Sequence, residues 1–419
     1  MKHALMDFFR KIGKQSEFDL FLKLFHQIPK SQFAVIKISG QTIENHLDTI
    51  AEDIAFLNKM DLYPIVVHGA GSSLDKKLPD SKRINGYRVT SEKDMQVIQS
   101  TFQEIAQALS EKIHHKGGFS KVIPPVFQCD PIPELGSVGS VKNVDLKKIK
   151  ECIELNHSPI ISPLGMNGDA FLNINADTAA KEIVKKTLVK KLILLTETGG
   201  ILGPNGKILS FLNLSDLDDM SYITGGMNLK IREVADFLQD HSECEVVITS
   251  AVNLLKEIFT IKGKGTFIKY YEILEKESLN SLDKEKIKIL LEEAFSKDLV
   301  DNYFENEFHH FFIEKNYEGI AIIDSIEDTP YLDKIAVSKP MQGTGLGKAI
   351  WEKALSRYPS LIWRAARDNP FNKFYVNHCD GMIKKEEWIV FWKNLPDEKV
   401  WPLAQRVNSA RKTLLERDK

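Results

Sequence analysis

Two groups of residues in this 419-residue chain could do chemistry with phosphorylated or charged small molecules. The first is the run Gln342-Gly343-Thr344-Gly345-Leu346-Gly347-Lys348, between a strand-like segment at 331–338 and a helix-like segment at 346–357. A strand, a glycine turn and a helix start make an anion site from backbone alone. The first N–H groups of a helix lack internal partners, and the helix dipole adds positive potential there. Glycine lets that backbone approach a pyrophosphate closely. The second group lies early in the chain. Lys37-Ile38-Ser39-Gly40 and His68-Gly69-Ala70-Gly71 each close a strand-like run with glycine. A lysine beside such a nest of N–H groups can neutralise a phosphoryl group in transfer. No Gly-x-x-x-x-Gly-Lys-Ser/Thr loop is present.

The elements that must position these residues follow from pattern. Between 33 and 270, short apolar runs (33–39, 63–68, 121–127, 159–162, 191–196, 245–249 and 266–270) alternate with helical stretches (43–59, 91–114, 177–186 and 228–239). This predicts an α/β fold, a mainly parallel sheet sandwiched by helices, with ligands at the carboxyl ends of its strands. An N-terminal helical arm at 1–32 precedes it, with Phe8, Phe9, Ile12, Phe18, Phe21, Leu22 and Phe25 at helical intervals. Docking on a second subunit and capping of its own domain are equally open for this arm. A polar stretch at 271–283 reads as a linker. A smaller domain at 284–400, with a mixed sheet, follows it, and 401–419 reads as a charged tail.

Composition bounds the function. The chain is long enough for two cores, with 43% hydrophobic and 27% charged residues. A net charge of -2 gives no general affinity for nucleic acid or membrane. The four cysteines, Cys129, Cys152, Cys244 and Cys379, form no CxxC pair, so neither a zinc site nor a disulfide scaffold is expected. No run is apolar enough to span a bilayer. The N-terminal residues lack a signal-peptide pattern, and Asp7, Glu17 and Asp19 argue against a transit peptide. A cytoplasmic protein is expected.

Further runs complete the first group: Asn85-Gly86-Tyr87-Arg88-Val89-Thr90, Asn173-Ile174-Asn175-Ala176-Asp177, 196–202 and Gly225-Gly226-Met227-Asn228-Leu229-Lys230. In order and spacing, the region 33–270 resembles the amino-acid kinase family, specifically N-acetylglutamate kinase. The resemblance implies that Lys37 and Lys230 stabilise the transferring phosphoryl group and that Asp177 holds both lysines. Gly69 and Ala70 would offer N–H donors to the substrate, and Arg88 and Asn173 would grip its carboxylate and amide ends. Gly40, Glu197, Gly199, Gly200, Leu202 and Thr224 would lie along ATP, which brings Mg2+ with it. Two positions depart from the pattern. Ser39 stands where glycine is usual, keeping its N–H but crowding a phosphate with its side chain, and Ala70 replaces another glycine.

The spacing Gln-x-x-Gly-x-Gly is that of acetyl-CoA-dependent N-acetyltransferases of the GNAT type. Trp363-Arg364-Ala365-Ala366-Arg367-Asp368-Asn369-Pro370, Asn372-Lys373-Phe374-Tyr375 and His378-Cys379-Asp380-Gly381 follow it. From 283 to 395 the chain resembles the acetyltransferase domain of N-acetylglutamate synthase, of the vertebrate-like type. The resemblance makes Gln342, Gly343, Gly345, Gly347 and Lys348 the coenzyme A loop and Tyr375 the acid for the leaving thiolate. Asn369 would position the amine or an ordered water, and Lys297, Lys334 and Arg364 would hold glutamate's carboxylates. Relatives commonly read Trp-Arg-Ser-Arg. Here Ala366 takes the second arginine position and Arg367 sits one further on, so either Arg367 substitutes through a shifted backbone or fewer charges hold glutamate.

Together the halves resemble bifunctional N-acetylglutamate synthase/kinases of arginine biosynthesis. L-glutamate, N-acetyl-L-glutamate, acetyl-CoA and ATP are the expected small molecules. L-arginine is the expected inhibitor, bound near 262–266, in a homotetramer. Alternatives remain: a synthase whose kinase domain only senses arginine, a non-catalytic regulator, or a protein or tRNA acetyltransferase.

Overall fold

The structure is a computed structural model. It describes residues 15–417 apart from 85, 216–222, 224, 242–243, 261–262 and 306–309. The chain divides into two compact units between Tyr270 and Tyr271.

The first unit opens with α1 (Gln15–His26), β1 (Val35–Ile38), α2 (Gly40–Lys59), β2 (Ile65–His68) and α3 (Gly71–Lys77). A short hairpin, β3 (Arg83–Ile84) and β4 (Tyr87–Arg88), leads to α4 (Glu92–His115). Then come β5 (Ser120–Val122), β6 (Phe127–Pro131), β7 (Gly139–Val144), α5 (Leu146–Glu154), β8 (Ser158–Ile161), β9 (Leu164–Asn167) and β10 (Ala170–Asn173). The unit closes with α6 (Ala176–Thr187), β11 (Lys191–Leu195), β12 (Phe211–Asn213), α7 (Gly225–Asp240), β13 (Glu245–Thr249), α8 (Leu254–Phe259) and β14 (Thr266–Lys269).

Eight strands form the main sheet in the order β12-β14-β13-β11-β1-β2-β8-β5. The six from β13 to β5 are parallel, and β14 runs antiparallel to β13. Both faces are covered, so β1, β2, β8 and β11 are buried throughout and are mostly apolar, with Lys37, His68, Ser158 and Lys191 as the exceptions. The expected strand at 121–127 is two strands of different sheets. Pro124 and Pro125 separate them, because proline has no N–H to give a ladder. β6 belongs to a four-stranded sheet, β10-β9-β6-β7, which sequence patterning did not reveal. The described part of the arm packs on its own unit. Phe18 is 3% exposed, with its ring 4.7 Å from Phe259, and Phe25 meets Phe33 at 4.8 Å. Residues 1–14 lie outside the described residues.

The second unit contains β15 (Ile273–Lys276), α9 (Lys284–Phe295), β16 (Asp298–Leu299), β17 (His310–Glu314), β18 (Gly319–Ile326), β19 (Thr329–Val337) and α10 (Leu346–Arg357). It continues with β20 (Leu361–Ala366), α11 (Asn372–His378), β21 (Gly381–Lys384), β22 (Trp388–Lys393), α12 (Asp397–Ser409) and β23 (Leu414–Leu415). Seven strands run in the order β15-β17-β18-β19-β20-β22-β21, and only β19/β20 is parallel. Two expectations fail here. The stretch at 271–283 holds β15, an edge strand whose polar composition reflects pairing on one side only. The tail is part of the fold as well. Val400, Leu403, Ala404 and Val407 form a buried helical stripe on α12, and β23 pairs with β16. Among the described residues, no helix is long and apolar enough to cross a membrane, and the four cysteines are free.

Candidate active sites

In the first unit, three helices begin at one sheet edge. Gly40 opens α2, Gly71 opens α3 and Ala176 opens α6, and all three line one cavity of about 220 Å³. The partial charge of three helix starts makes this space electropositive before any side chain is counted. Lys37 adds a full charge. It lies on buried β1, is 5% exposed, and its Nζ is 2.8 Å from Asp177 Oδ1. Asp177 belongs to the first turn of α6, whose cap is Asn175. The Asn175 side chain accepts from the N–H groups of Asp177 (2.8 Å) and Thr178 (3.4 Å). A neighbouring residue therefore does the capping, and the Asp177 carboxylate serves Lys37.

Gly40 is required by close approach. A Cβ there would lie 2.8 Å from the Gly71 nitrogen, so a side chain would push the two loops apart. Two expectations for the backbone need correction. The Gly69 N–H donates to the Ile38 carbonyl at 2.8 Å, and that of Ser39 donates to Leu195 at 3.3 Å. The parallel ladders run one residue past the strands and use both donors. Ser39 lines the cavity, and its hydroxyl has a structural partner. It caps α2, accepting from the Thr42 N–H at 3.2 Å and meeting Thr42 Oγ1 at 2.7 Å.

Arg88, Asn173, Gly69 and Ala70 line the same cavity, as expected residues brought together. Leu74, Phe102, Val138 and Pro163 supply an apolar side. Arg88 is 8% exposed, and its guanidinium bonds Asp75, the Ser81 hydroxyl and the Leu78 carbonyl (3.4 Å). Its grip on a substrate would have to compete with Asp75. Asn173 Nδ2 donates to Thr90 Oγ1 at 3.2 Å. The 196–202 loop leaves β11 beside Lys37, since Leu195 pairs with Ile38. There Glu197 accepts from Asn45 Nδ2 at 2.9 Å, Gly199 takes φ 68, and Leu202 is exposed. Glu197, Gly199, Gly200 and Leu202 do not line the cavity. Thr224 lies outside the described residues. Lys230 falls on α7, and its side chain lies outside them too.

His68, the last residue of β2, has a structural role that its place in the glycine run did not suggest. It is fully buried, bonds Ser162 Oγ through Nε2 at 2.9 Å, and burial pushes its pKa down to about 4. Glu257 escaped the sequence reading. This buried α8 carboxylate accepts from the N–H groups of Lys264 (2.5 Å) and Gly265 (2.7 Å) and from the Thr249 hydroxyl (3.3 Å). It thus holds the 263–265 turn, and Lys262 lies outside the described residues.

In the second unit, β19 and β20 pair only at Tyr331/Ile362 and Leu332/Trp363. Beyond those pairs β19 continues to Val337 and β20 to Ala366, so the strands part. The 342–348 loop follows β19. Gly343 and Gly345 take φ 82 and 92, which disfavours any side chain there. A Cβ on Gly347 would press on Val337 at 3.3 Å. Gln342 Nε2 reaches the Val337 carbonyl at 3.4 Å, and Lys348 pairs with Glu352 at 3.6 Å. The loop thus fits an anionic ligand on the α10 N-terminus.

Tyr375, on α11, is 5% exposed. Its ring centroid lies 5.4 Å from Phe391, 5.7 Å from Trp363 and 5.9 Å from Trp351. Burial raises its phenol above the ordinary value, so it is protonated at neutral pH. Asn369 Oδ1 accepts from the Phe371 N–H at 2.9 Å, leaving its amide nitrogen as the donor a ligand could use. Arg367 is exposed, just past the end of β20, so the one-residue offset does not return an arginine to position 366.

The three expected carboxylate-binding cations each meet a different part of the stretch 407–416. Lys297 pairs with Glu416 at 2.5 Å, and Lys334 bonds Thr413 Oγ1 at 2.6 Å and Asp333 Oδ2 at 3.0 Å. Arg364 gives its guanidinium to the carbonyls of Val407 (3.0 Å), Asn408 (3.1 Å), Ala410 (2.9 Å) and Arg411 (2.9 Å). It also stacks over Trp388 at 4.3 Å. Arg364 therefore closes the end of α12, a role its sequence neighbours did not reveal. Tyr303 completes the cluster, donating to Asp333 at 2.6 Å. Burial, with Asp333 beside it, holds that phenol well above its usual range.

The sequence profile of the Amino acid kinase family matches residues 32–250. That of the N-acetyltransferase of N-acetylglutamate synthase matches residues 274–411. An acetylglutamate kinase of Xanthomonas campestris is 35% identical over 404 residues, 92% of this chain and 95% of its own length. The mitochondrial N-acetylglutamate synthase of Mus musculus is 30% identical over 90% of this chain and 72% of its own. A solved structure, N-acetylglutamate synthase from Neisseria gonorrhoeae complexed with coenzyme A and N-acetyl-glutamate, matches with TM-score 0.62 and 18% identity. It covers 95% of this chain and 97% of its own, and this likeness concerns the fold.

Proposed function

The chain belongs to the amino acid kinase family, with an N-acetyltransferase domain of the N-acetylglutamate synthase kind, and from that premise we propose an enzyme of arginine biosynthesis with two reactions. One transfers acetyl from acetyl-CoA to the α-amine of L-glutamate. The other phosphorylates the side-chain carboxylate of N-acetyl-L-glutamate with ATP.

The observation that carries the kinase reading is the Lys37–Asp177 pair among three helix starts. Phosphoryl transfer needs positioning and positive charge more than covalent help. The acceptor carboxylate attacks the terminal phosphorus as the bond to the leaving oxygen breaks. Lys37, oriented by Asp177, faces charge that grows on the transferring oxygens. Lys230 shares with Lys37 the stabilisation of the transferring phosphoryl group. Arg88 and Asn173 take the substrate's carboxylate and amide ends. Mg2+ accompanies ATP as part of that substrate.

For acetyl transfer, the parted strands and the glycine loop support a coenzyme A site. The neutral amine attacks the thioester carbonyl, the C–S bond breaks, the sulfur takes a proton, and the nitrogen releases one to solvent as the amide forms. Tyr375, kept protonated by burial, is the acid, and Asn369 orients the amine. Lys297 and Lys334 carry the charge that two substrate carboxylates need. Arg364 acts mainly by closing α12.

We further read L-arginine as an inhibitor acting near 262–266, beside the turn that the buried Glu257 carboxylate holds. The solved N. gonorrhoeae synthase has also been obtained with coenzyme A and L-arginine. A homotetramer in the cytoplasm completes the reading. The test is ATP-dependent phosphorylation of N-acetylglutamate by the purified protein, with Lys230→Ala as control. Activity that vanishes in the variant, in a preparation that also acetylates glutamate, supports both reactions. Acetyl transfer without phosphorylation leaves a synthase with a sensing domain.

A further inference from the structure

Three cations, on α9/β16, β19 and β20, are held by a single stretch of chain. Lys297, Lys334 and Arg364 meet Glu416, Thr413 and the carbonyls at 407–411 respectively. We propose that residues 410–417 form a wall of the amino-acid acceptor subsite, with Thr413 positioning Lys334 and Glu416 acting as a displaceable counter-ion on Lys297. This rests on the acetyl-transfer reading and names the residues that set its acceptor affinity.

The backbone of the stretch is fixed. Leu414 and Leu415 pair with Leu299 and Asp298, and the Val300 N–H donates to the Thr413 carbonyl at 3.1 Å. Arg417 bonds Asp298 at 2.9 Å, Lys412 pairs with Glu387 at 2.8 Å, and Arg411 reaches Asn302 at 3.0 Å. The Arg364 guanidinium anchors the other end. Thr413 is therefore a built partner of Lys334. Its hydroxyl and the Asp333 carboxylate set the direction of a buried ammonium.

Glu416 differs in kind. Its side chain is 80% exposed, and that of Lys297 is 38% exposed. An exposed pair of this sort is weak, because water and salt compete with it. Glu416 also carries the same functional group as the side chain of glutamate. It occupies Lys297 as an acceptor carboxylate would, and it yields when a dicarboxylate brings two charges to the neighbouring cations. Glu416 thereby raises the acceptor concentration needed for half-saturation without touching the acetyl group.

The experiment is steady-state acetyl transfer from labelled acetyl-CoA to glutamate by the full chain. Glu416→Gln is expected to lower KM for glutamate about 3–10-fold at low salt, with kcat unchanged. The gap should narrow as ionic strength rises. Thr413→Val is expected to raise KM by a similar factor, and Thr413→Ser to restore it. Thermal unfolding midpoints equal to that of the parent exclude a folding defect. Unchanged KM in both variants overturns the proposal, as does a change confined to kcat. Lys297→Ala separates the two readings. If the parent makes N-acetylglutamate and Lys297→Ala leaves KM unaltered, acetyl transfer stands and the wall falls. If the parent makes none, both fall.

Discussion

Lys37 Nζ and Asp177 Oδ1 lie 2.8 Å apart, joining the central strand of the first unit to the first turn of a helix far along the chain. Lys37 is almost wholly buried, so its charge needs this partner. Asp177→Asn keeps the shape and removes the charge. It should lower kcat for phosphorylation of N-acetylglutamate roughly 100-fold or more, about 3 kcal/mol of transition-state stabilisation. Acetyl transfer by the same preparation should be unchanged. A variant that phosphorylates normally would refute the orienting role.

Tyr375 gives a prediction for the other half. Tyr375→Phe keeps the ring packing against Trp363 and Phe391 but loses the proton. The kcat for acetyl transfer should fall about 100-fold or more, the usual range for a lost general acid. KM for acetyl-CoA should hold. The parent's kcat should show no tyrosine ionisation up to pH 10, since burial raises that phenol.

Gly40 tests the meeting of the two glycine loops. A methyl group there would strike the backbone at Gly71. Gly40→Ala should abolish phosphorylation while sparing acetyl transfer. A parallel assay of both reactions checks this.

Ala366→Arg restores the second arginine that relatives commonly carry. Arg367 is exposed beyond β20 and does not replace it. The variant should lower KM for glutamate, and an unchanged KM would count against a charge-poor acceptor subsite.

His68 predicts an acid-sensitive fold. Its folded pKa of about 4 lies below the ordinary 6.5 because burial disfavours the charged ring. A depressed folded pKa contributes stability that is complete above pH 6.5 and lost as pH falls towards 4. At 1.36 kcal/mol per unit, the loss is about 3 kcal/mol. His68→Gln should flatten the pH dependence of the unfolding midpoint over that window. An equally steep curve in the variant would exclude His68 as the cause.

Much of this could be read in the order of residues. The parallel sheet was legible because strands buried on both faces carry unbroken apolar runs, as at 65–67 and 192–195. The glycine loops were legible because positive φ and close approach restrict the residue type, as at Gly343, Gly345 and Gly40. The edge strand β15 was not legible. At 273–276 it carries the polar pattern of a linker, since one of its sides faces no partner strand. The second sheet of the first unit was hidden because Pro124 and Pro125 divide a run that looked single.

The sequence by itself determined which residue types could do chemistry, and it placed Lys37, Arg88, Asn173 and Asp177 on a list. Only tertiary structure decided what each one faces. Asp177 meets Lys37 across 140 positions, a separation no local rule spans. The Gly69 N–H is spent on a neighbouring strand, and Arg364 is spent on the carbonyls that end a helix some 45 residues later. The physical reason is that a charged or hydrogen-bonding group must find partners wherever the fold leaves them. Residue type fixes how many partners it needs, and chain topology fixes which ones it gets.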